Sequence, residues 1–295
     1  MGQPMLANGD STVAASDGCA REDEQESAGL YLDLLKRCLT RELFIDQEYY
    51  EVVPGDEQLA RLIADENAVL MRRTNGDVKR VDGRDYPPTA ETMVGHKRLD
   101  NVHQLAVRVI EDRVPGDLVE TGVWRGGTVI LMRAVLRAYG VEDRAVWVCD
   151  SFEGLPVPDA DDGSGDADLM SGRLVLDAIN PFLAVSVEQV QANFERYGLL
   201  DDRVRFLPGW FRDTLPTAPI ERIALLRLDG DLYESTMDAL IALEPRVSPG
   251  GFVIVDDYNG LEVCQRAVDD YRRDHHIDAP LHEVDWTAVW WRKPD

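Results

Sequence analysis

The sequence predicts an α/β domain built on a parallel sheet with helices on both faces. Three observations carry this. Short, continuous apolar runs recur at LVE near 118, VWVCD at 146–150, VRFLP at 204–208, IALLRLD at 223–229 and FVIVDD at 252–257. Segments of helical period fall between them, at 126–139, 187–197, 234–244 and 261–275. Apolar strands alternating with helices belong in a parallel sheet covered on both sides. The C-terminus then breaks the alternation. Residues 282–285 and 287–291 are strand-like with almost nothing between them, which requires a hairpin and makes the last strand antiparallel.

In chain order, residues 1–28 mix Gly, Ser, Asp, Glu and Ala without periodicity and are expected as a disordered tail. Residues 29–90 are expected to hold N-terminal helices and a lid loop. Leu30, Tyr31, Leu34, Leu35, Cys38 and Leu39 fall at helical spacing, and a weaker helical stretch runs from Glu57 to Met71. The stretch between Arg72 and Thr89 is rich in turn formers and charge and reads as a long loop, either a lid or a plain connection. The main domain is expected over 91–295. It opens with a helix from Glu91 to Arg113, whose apolar side carries Met93, Leu99, Val102, Leu105, Ala106, Val109 and Ile110. Val114-Pro115-Gly116 ends that helix. Ser186 with Gln189 three residues on forms a capping box for the helix at 187.

Composition narrows the function. The 295 residues carry a net charge of −24, which argues against nucleic acid or an anionic membrane as partner. The four cysteines, Cys19, Cys38, Cys149 and Cys264, show no metal-binding spacing and read as reduced thiols of a cytoplasmic protein. No apolar run is long enough to span a bilayer, and the acidic N-terminus is not a signal peptide. Homodimerisation through the N-terminal helices is a further expectation.

Two constellations carry chemistry. In the first, a strand stops at Glu120-Thr121, turns on Gly122 and enters a helix at Gly126-Gly127. Such a turn leaves backbone N–H groups facing a crevice. Asp150 ends the second strand, where a carboxylate can take the two hydroxyls of a ribose. The glycine spacing is not that of a dinucleotide fold, which favours a nucleoside without phosphates. Ser151 and Gly154 stand at the crevice mouth. Gly209-Trp210-Phe211 follow the third strand, where the indole either stacks on a purine or belongs to the core. The segment from Asp150 to Asp168 holds seven acids and no base, and reads as a mobile loop. In the second constellation, Asp229 ends the fourth strand and Asp256-Asp257 end the fifth. Neighbouring strands lie about 4.8 Å apart. The three acids can therefore share one hard divalent ion, or stand as solvated acids at the sheet edge.

The motifs ETGVWRGG (120–127), DSFEG (150–154), NFERYGLLDDRVRFLPGWFRDTLP (193–216), LRLDGDLYESTMDAL (226–240) and SPGGFVIVDDY (248–258) resemble the macrocin O-methyltransferase family, whose members methylate deoxysugar hydroxyls of macrolides and of aminocoumarins such as novobiocin. The resemblance spans roughly residues 90–292. It implies a class I S-adenosylmethionine-dependent, Rossmann-like fold: seven strands, the last antiparallel. It implies cofactor contacts at Thr92, Met93, Glu120, Thr121, Gly122, Val123, Trp124, Asp150, Ser151, Phe152, Gly209 and Trp210. It also implies Mg²⁺ held by Asp229, Asp256 and Asp257, with Asp229 as candidate base and a sugar-bearing small molecule as acceptor. Catechol-type relatives carry a lysine three residues after the first metal acid; Leu232 stands there in this chain. Two other classes stay open on the residues alone. An NAD-dependent sugar oxidoreductase or epimerase would need GxGxxG and a Tyr-x-x-x-Lys pair, and neither is present. A non-catalytic binding protein on the same fold would not need the acids at 229, 256 and 257.

Overall fold

A computed structural model of the chain describes residues 13–44, 50–52, 71–73, 77–84, 87, 89–157, 166 and 176–294. The N-terminal helix α1 (Val13–Leu39) is 27 residues long. The expected tail therefore ends earlier than the composition suggested. Residues 1–12 lie outside the described residues, and 13–28 are helical. This stretch has Ala, Glu, Gln and Arg at most positions, and their intrinsic preference for helix offsets the single Gly18. Leu32, Leu35 and Leu39, spaced three and four apart, are buried on one side of α1.

The expected loop at 72–89 also carries structure. Strand β1 (Tyr50–Val52) pairs antiparallel with β2 (Met71–Arg73), and a short helix α2 (Asp77–Val81) follows. The helical stretch expected before Met71 lies outside the described residues. Helix α3 (His96–Glu111) starts five residues later than its periodicity suggests. Residues 91–95 are drawn off into backbone contacts. The Glu91 N–H donates to the Leu39 carbonyl at 3.1 Å, and the Glu91 carbonyl accepts from Gly127 N–H at 2.9 Å.

The central sheet has seven strands: β3 (Asp117–Thr121), β4 (Val146–Asp150), β5 (Val204–Pro208), β6 (Ile223–Leu228), β7 (Val247–Val255), β8 (His282–Glu283) and β9 (Val289–Arg292). Their order is β5-β4-β3-β6-β7-β9-β8. The first five are parallel, and β9 pairs antiparallel with both β7 and β8, as the terminal hairpin requires. The remaining helices are α4 (Gly127–Ala138), α5 (Leu176–Leu183), α6 (Val187–Arg196), α7 (Phe211–Thr214), α8 (Tyr233–Leu243) and α9 (Glu262–Asp274). At α6 the N-cap half of the capping box is present, with Ser186 Oγ accepting from Gln189 N–H at 3.3 Å, while the Gln189 side chain donates to Asn193 Oδ1 at 3.0 Å.

Alternation along each strand splits the core in two. On one face Leu118, Leu225, Phe252 and Ile254 pack with residues of α1, α3, α4 and α6. On the other, Val119, Leu226, Val253 and Val255 pack with α8 and α9. Helix α4 is buried along nearly its whole length because α1 and α3 cover its outer side.

A chain of charges crosses the first face. Glu120 and Arg227 are register partners on β3 and β6, and both are about 1% exposed. Arg227 Nη1 donates to Glu120 and, at 2.8 Å, to Asp229 Oδ2, while Nη2 donates to Asp256. Arg98, on α3, donates to the other oxygen of Asp256 and lies 3.1 Å from Asp285 Oδ2 in the β8–β9 turn. Removing one partner of a buried pair leaves an uncompensated charge. Arg227→Ala is expected to lower unfolding free energy by about 3–5 kcal/mol, read from denaturant midpoints at unchanged m-value.

Candidate active site

The carboxyl ends of β3, β4, β5 and β6 open onto one crevice, as expected for an open α/β sheet. Its walls include Met93, Gly122, Trp124, Asp150, Ser151, Trp210 and Asp229 from the predicted set. They also include Phe211, beside Trp210 after β5, and Leu155, Leu183, Arg212, Asp231, Glu234 and Asp238, which sequence reasoning did not single out.

The turn after β3 depends on Gly122. Its φ is +83°, and a Cβ there would stand 1.8 Å from the Asp229 carbonyl oxygen. The ends of β3 and β6 touch at this point, where Asp229 N–H donates to the Thr121 carbonyl at 2.8 Å. Gly127, at the start of α4, is equally tight: a Cβ would lie 2.7 Å from both the Glu91 carbonyl oxygen and Thr92 Cβ. That contact seats the 91–93 segment so that Met93 reaches the crevice, while Thr92 is buried against α4, with its hydroxyl accepting from Val94 N–H at 3.2 Å.

Asp150, at the end of β4, lines the crevice. Its carboxylate accepts from Val123 N–H and from Phe152 N–H, each at 2.7 Å. Burial pushes its pKa up, and these backbone donors pull against the rise. Val123 and Phe152 thus act through their backbones. The Val123 side chain is buried, and the Phe152 ring stands 6.5 Å from Phe206. Gly209 N–H donates to the Asp150 carbonyl at 2.9 Å, which brings Trp210 to the crevice wall. Trp124 and Phe152, with φ of 47° and 59°, hold left-handed backbone without being glycine. The Trp124 indole N–H donates to the Phe182 carbonyl at 2.9 Å, and Arg125 lies over its ring at 4.2 Å. Glu120 and Thr121, expected at the cofactor, are buried inside the sheet. Burial drives the Glu120 carboxyl up to about 8 against the pull of Arg227. Arg227 is shared by Glu120, Asp229 and Asp256, and Arg98 joins it at Asp256.

The acidic edge differs from expectation at one position. Asp229, Asp231 and Asp257 place carboxylate oxygens within 4.8 Å of one another. Asp256 does not join them. Asp256 and Asp257 are successive residues at the end of β7 and point to opposite faces. Asp256 turns to the α3 side, where the guanidiniums of Arg98 and Arg227 take its two oxygens. Burial raises its pKa, but these two cations outweigh that and hold Asp256 below the usual carboxylate range. Asp257 turns to the α8 side. It is pushed well up by burial and then by Asp231, and its Oδ2 is buried without a hydrogen-bond partner. Asp231 takes the vacated place in the trio. Its φ is 59°, and burial, then Asp229, pushes its carboxyl to about 7. The signal for it was legible: Asp229-Gly230-Asp231 puts a second acid one residue past a strand-end turn.

Gly122→Ala is expected to cost about 1–3 kcal/mol from overpacking and to weaken S-adenosylhomocysteine binding at least tenfold. Thermal unfolding and calorimetric titration check the two effects.

Comparison with known proteins assigns this geometry. The macrocin O-methyltransferase (TylF) family matches residues 28–293. The chain is 52% identical over 268 residues to an 8-demethyl-8-(2,3-dimethoxy-alpha-L-rhamnosyl)-tetracenomycin-C 4'-O-methyltransferase of Streptomyces olivaceus, covering 91% of this chain and 94% of that one. It is 47% identical over 264 residues to a mycinamicin III 3''-O-methyltransferase of Micromonospora griseorubida, covering 90% and 96%. The solved structure of the O-methyltransferase NovP superposes with a TM-score of 0.78 at 47% identity, covering 91% of this chain and 100% of that one. The fold is that of a class I S-adenosylmethionine-dependent methyltransferase, and the chain belongs to the macrocin O-methyltransferase family.

Proposed function

We propose that this protein transfers a methyl group from S-adenosylmethionine to a deoxysugar hydroxyl on a glycosylated natural product, in antibiotic biosynthesis. The observation that carries the reading is the pairing, within one crevice, of a ribose-directed carboxylate at Asp150 with a three-acid edge at Asp229, Asp231 and Asp257. Charge favours a glycoside over a nucleotide sugar. Among the described residues Arg212 is the single basic side chain lining the crevice, against Asp150, Asp229, Asp231, Glu234 and Asp238. A diphosphate would meet repulsion there, whereas the Trp124, Leu155, Leu183, Trp210 and Phe211 walls suit an apolar aglycone.

The donor set fits a hard divalent cation. It is oxygen-only, its members repel one another, and Asp257 Oδ2 has no partner. Asp229 and Asp257 would hold Mg²⁺ with Asp231 beside them, and a bound divalent ion lowers the pKa of a coordinated hydroxyl. S-adenosylmethionine supplies an electrophilic methyl on a sulfonium. The rest falls to the chain. Asp150 binds the ribose, and the Gly122–Trp124 turn with Met93 orients the methionine end. Asp231, raised to about 7, takes the proton of the attacking hydroxyl onto its carboxylate oxygen. Asp229, expected as the base, is less suited, because Arg227 already donates to it.

In its first helix the protein leaves Leu30 and Leu34 69% and 52% exposed beside the buried Leu32 and Leu35. This outer stripe supports a homodimer through α1. The free thiols of Cys38, Cys149 and Cys264 fit a cytoplasmic setting. No helix among the described residues is long and apolar enough to cross a membrane.

Methyl transfer from labelled S-adenosylmethionine to mycinamicin III and to 8-demethyl-8-(2,3-dimethoxy-alpha-L-rhamnosyl)-tetracenomycin C, the compounds in the names of two relatives, tests the reading. Turnover is expected with Mg²⁺ and lost in chelator; full speed in chelator would refute the metal role. Asp231→Asn is expected to cut kcat about 10²–10⁴-fold with S-adenosylhomocysteine binding intact. Only ionised Asp231 accepts a proton, and a bound cation opposes the rise that burial and Asp229 impose, so in saturating Mg²⁺ kcat should climb with pH and level off once Asp231 is ionised. For the dimer, Leu34→Glu is expected to halve the mass seen by light scattering.

A further inference from the structure

Helix α8 begins without a cap of its own. Its N-cap position is held by Leu232, whose side chain is buried and offers no acceptor. The chain reaches it from the acidic edge through a tight turn, with Leu232 N–H donating to the Gly230 carbonyl at 2.6 Å and Asp231 forced to a φ of 59°. Left-handed backbone at a non-glycine residue persists only where its surroundings hold it.

What holds it comes from far away in sequence. Asp166, 1% exposed, accepts from Tyr233 N–H at 2.8 Å and from Glu234 N–H at 3.0 Å, so both carboxylate oxygens lie on the first turn of α8. Those donors sit 67 and 68 positions along the chain. A carboxylate at a helix N-terminus also meets the positive end of the helix dipole. On one side of this turn stands Asp231; on the other, Glu234 and Ser235 line the crevice.

We infer that Asp166 is a positioning residue for the acidic edge. By fixing the first turn of α8 it holds Asp231 in its left-handed conformation, with its carboxylate turned toward Asp229 and Asp257. This rests on reading those three acids as a cation site. Asp166 itself touches neither cation nor cofactor. The nucleoside side of the crevice hangs on β3 and β4 and does not depend on this contact.

Mn²⁺ binding by electron paramagnetic resonance and S-adenosylhomocysteine binding by calorimetry, each with one ligand alone, separate the roles. Asp166→Ala is expected to weaken Mn²⁺ binding at least tenfold while S-adenosylhomocysteine affinity stays within twofold. Asp166→Asn, whose amide oxygen still accepts one of the two N–H groups, is expected to fall between Asp166→Ala and the native protein. Equal Mn²⁺ behaviour of Asp166→Ala and the native protein overturns the proposal, and so does a parallel loss of both affinities, which would make Asp166 a general fold contact. If the native protein takes up no Mn²⁺, the cation site itself fails. If it does and Asp166→Ala matches it, only the positioning role fails.

Discussion

The guanidinium of Arg227 is the constraint on which the sheet and its catalytic edge both depend. Burying a cation among strands costs several kcal/mol unless carboxylates meet it; here they take both Nη atoms and leave Nε without a hydrogen bond. Glu120 on β3, Asp229 past the end of β6 and Asp256 past the end of β7 meet it together. Three neighbouring strands are thereby locked in register by a polar group, at the level where apolar packing gives way to the open crevice. Arg98 extends the lock to α3 and, through Asp285, to the C-terminal hairpin. Asp285 is itself fixed by the backbone N–H groups of Thr287 and Ala288, each 3.0 Å from its Oδ1.

This arrangement sorts the acids into two kinds. Those on the α3 face are neutralised by arginine and serve the fold. Those at the rim and on the α8 face repel one another, though Asp229 also takes a hydrogen bond from Arg227. The same sheet end, with nearly the same residue type throughout, thus yields an arginine-bound pair and a closely spaced trio. The pleat decides which is which, because successive residues of β7 face opposite helical layers. In a chain of net charge −24, a second consequence follows. The long-range field draws cations toward the crevice and discourages anionic acceptors before any contact forms.

Much of this was legible in the residues. The five apolar runs gave the parallel strands, because a strand buried on both sides has no polar face to hide. The C-terminal pair of short runs gave the hairpin, because no helix fits between them. Gly122 and Asp150 were readable for the same reason: a strand-to-helix turn and a strand-end acid have fixed places in such a sheet. Asp256 reads in sequence as one edge with Asp257; that Arg98 and Arg227 take its two oxygens shows only in the folded chain. Arg227 was passed over because an arginine inside LLRLD looks like a polar interruption until its register partner Glu120 is known. Asp166 was hidden in a run of like charges, and only tertiary structure shows which of them is buried. The start of α1 was misjudged because helical preference without an apolar stripe leaves no periodic signal.

Trp124 links two parts of the crevice that would otherwise be separate. Its backbone belongs to the turn after β3, and its indole N–H holds the end of α5, whose Leu183 forms part of the opposite wall. A molecule that settles the turn settles that helix too, and one that presses on the helix is felt at the turn. Thermodynamic reciprocity then ties the two compartments together. A ligand bound at the turn and a ligand bound against α5 would share one coupling free energy, equal in both directions.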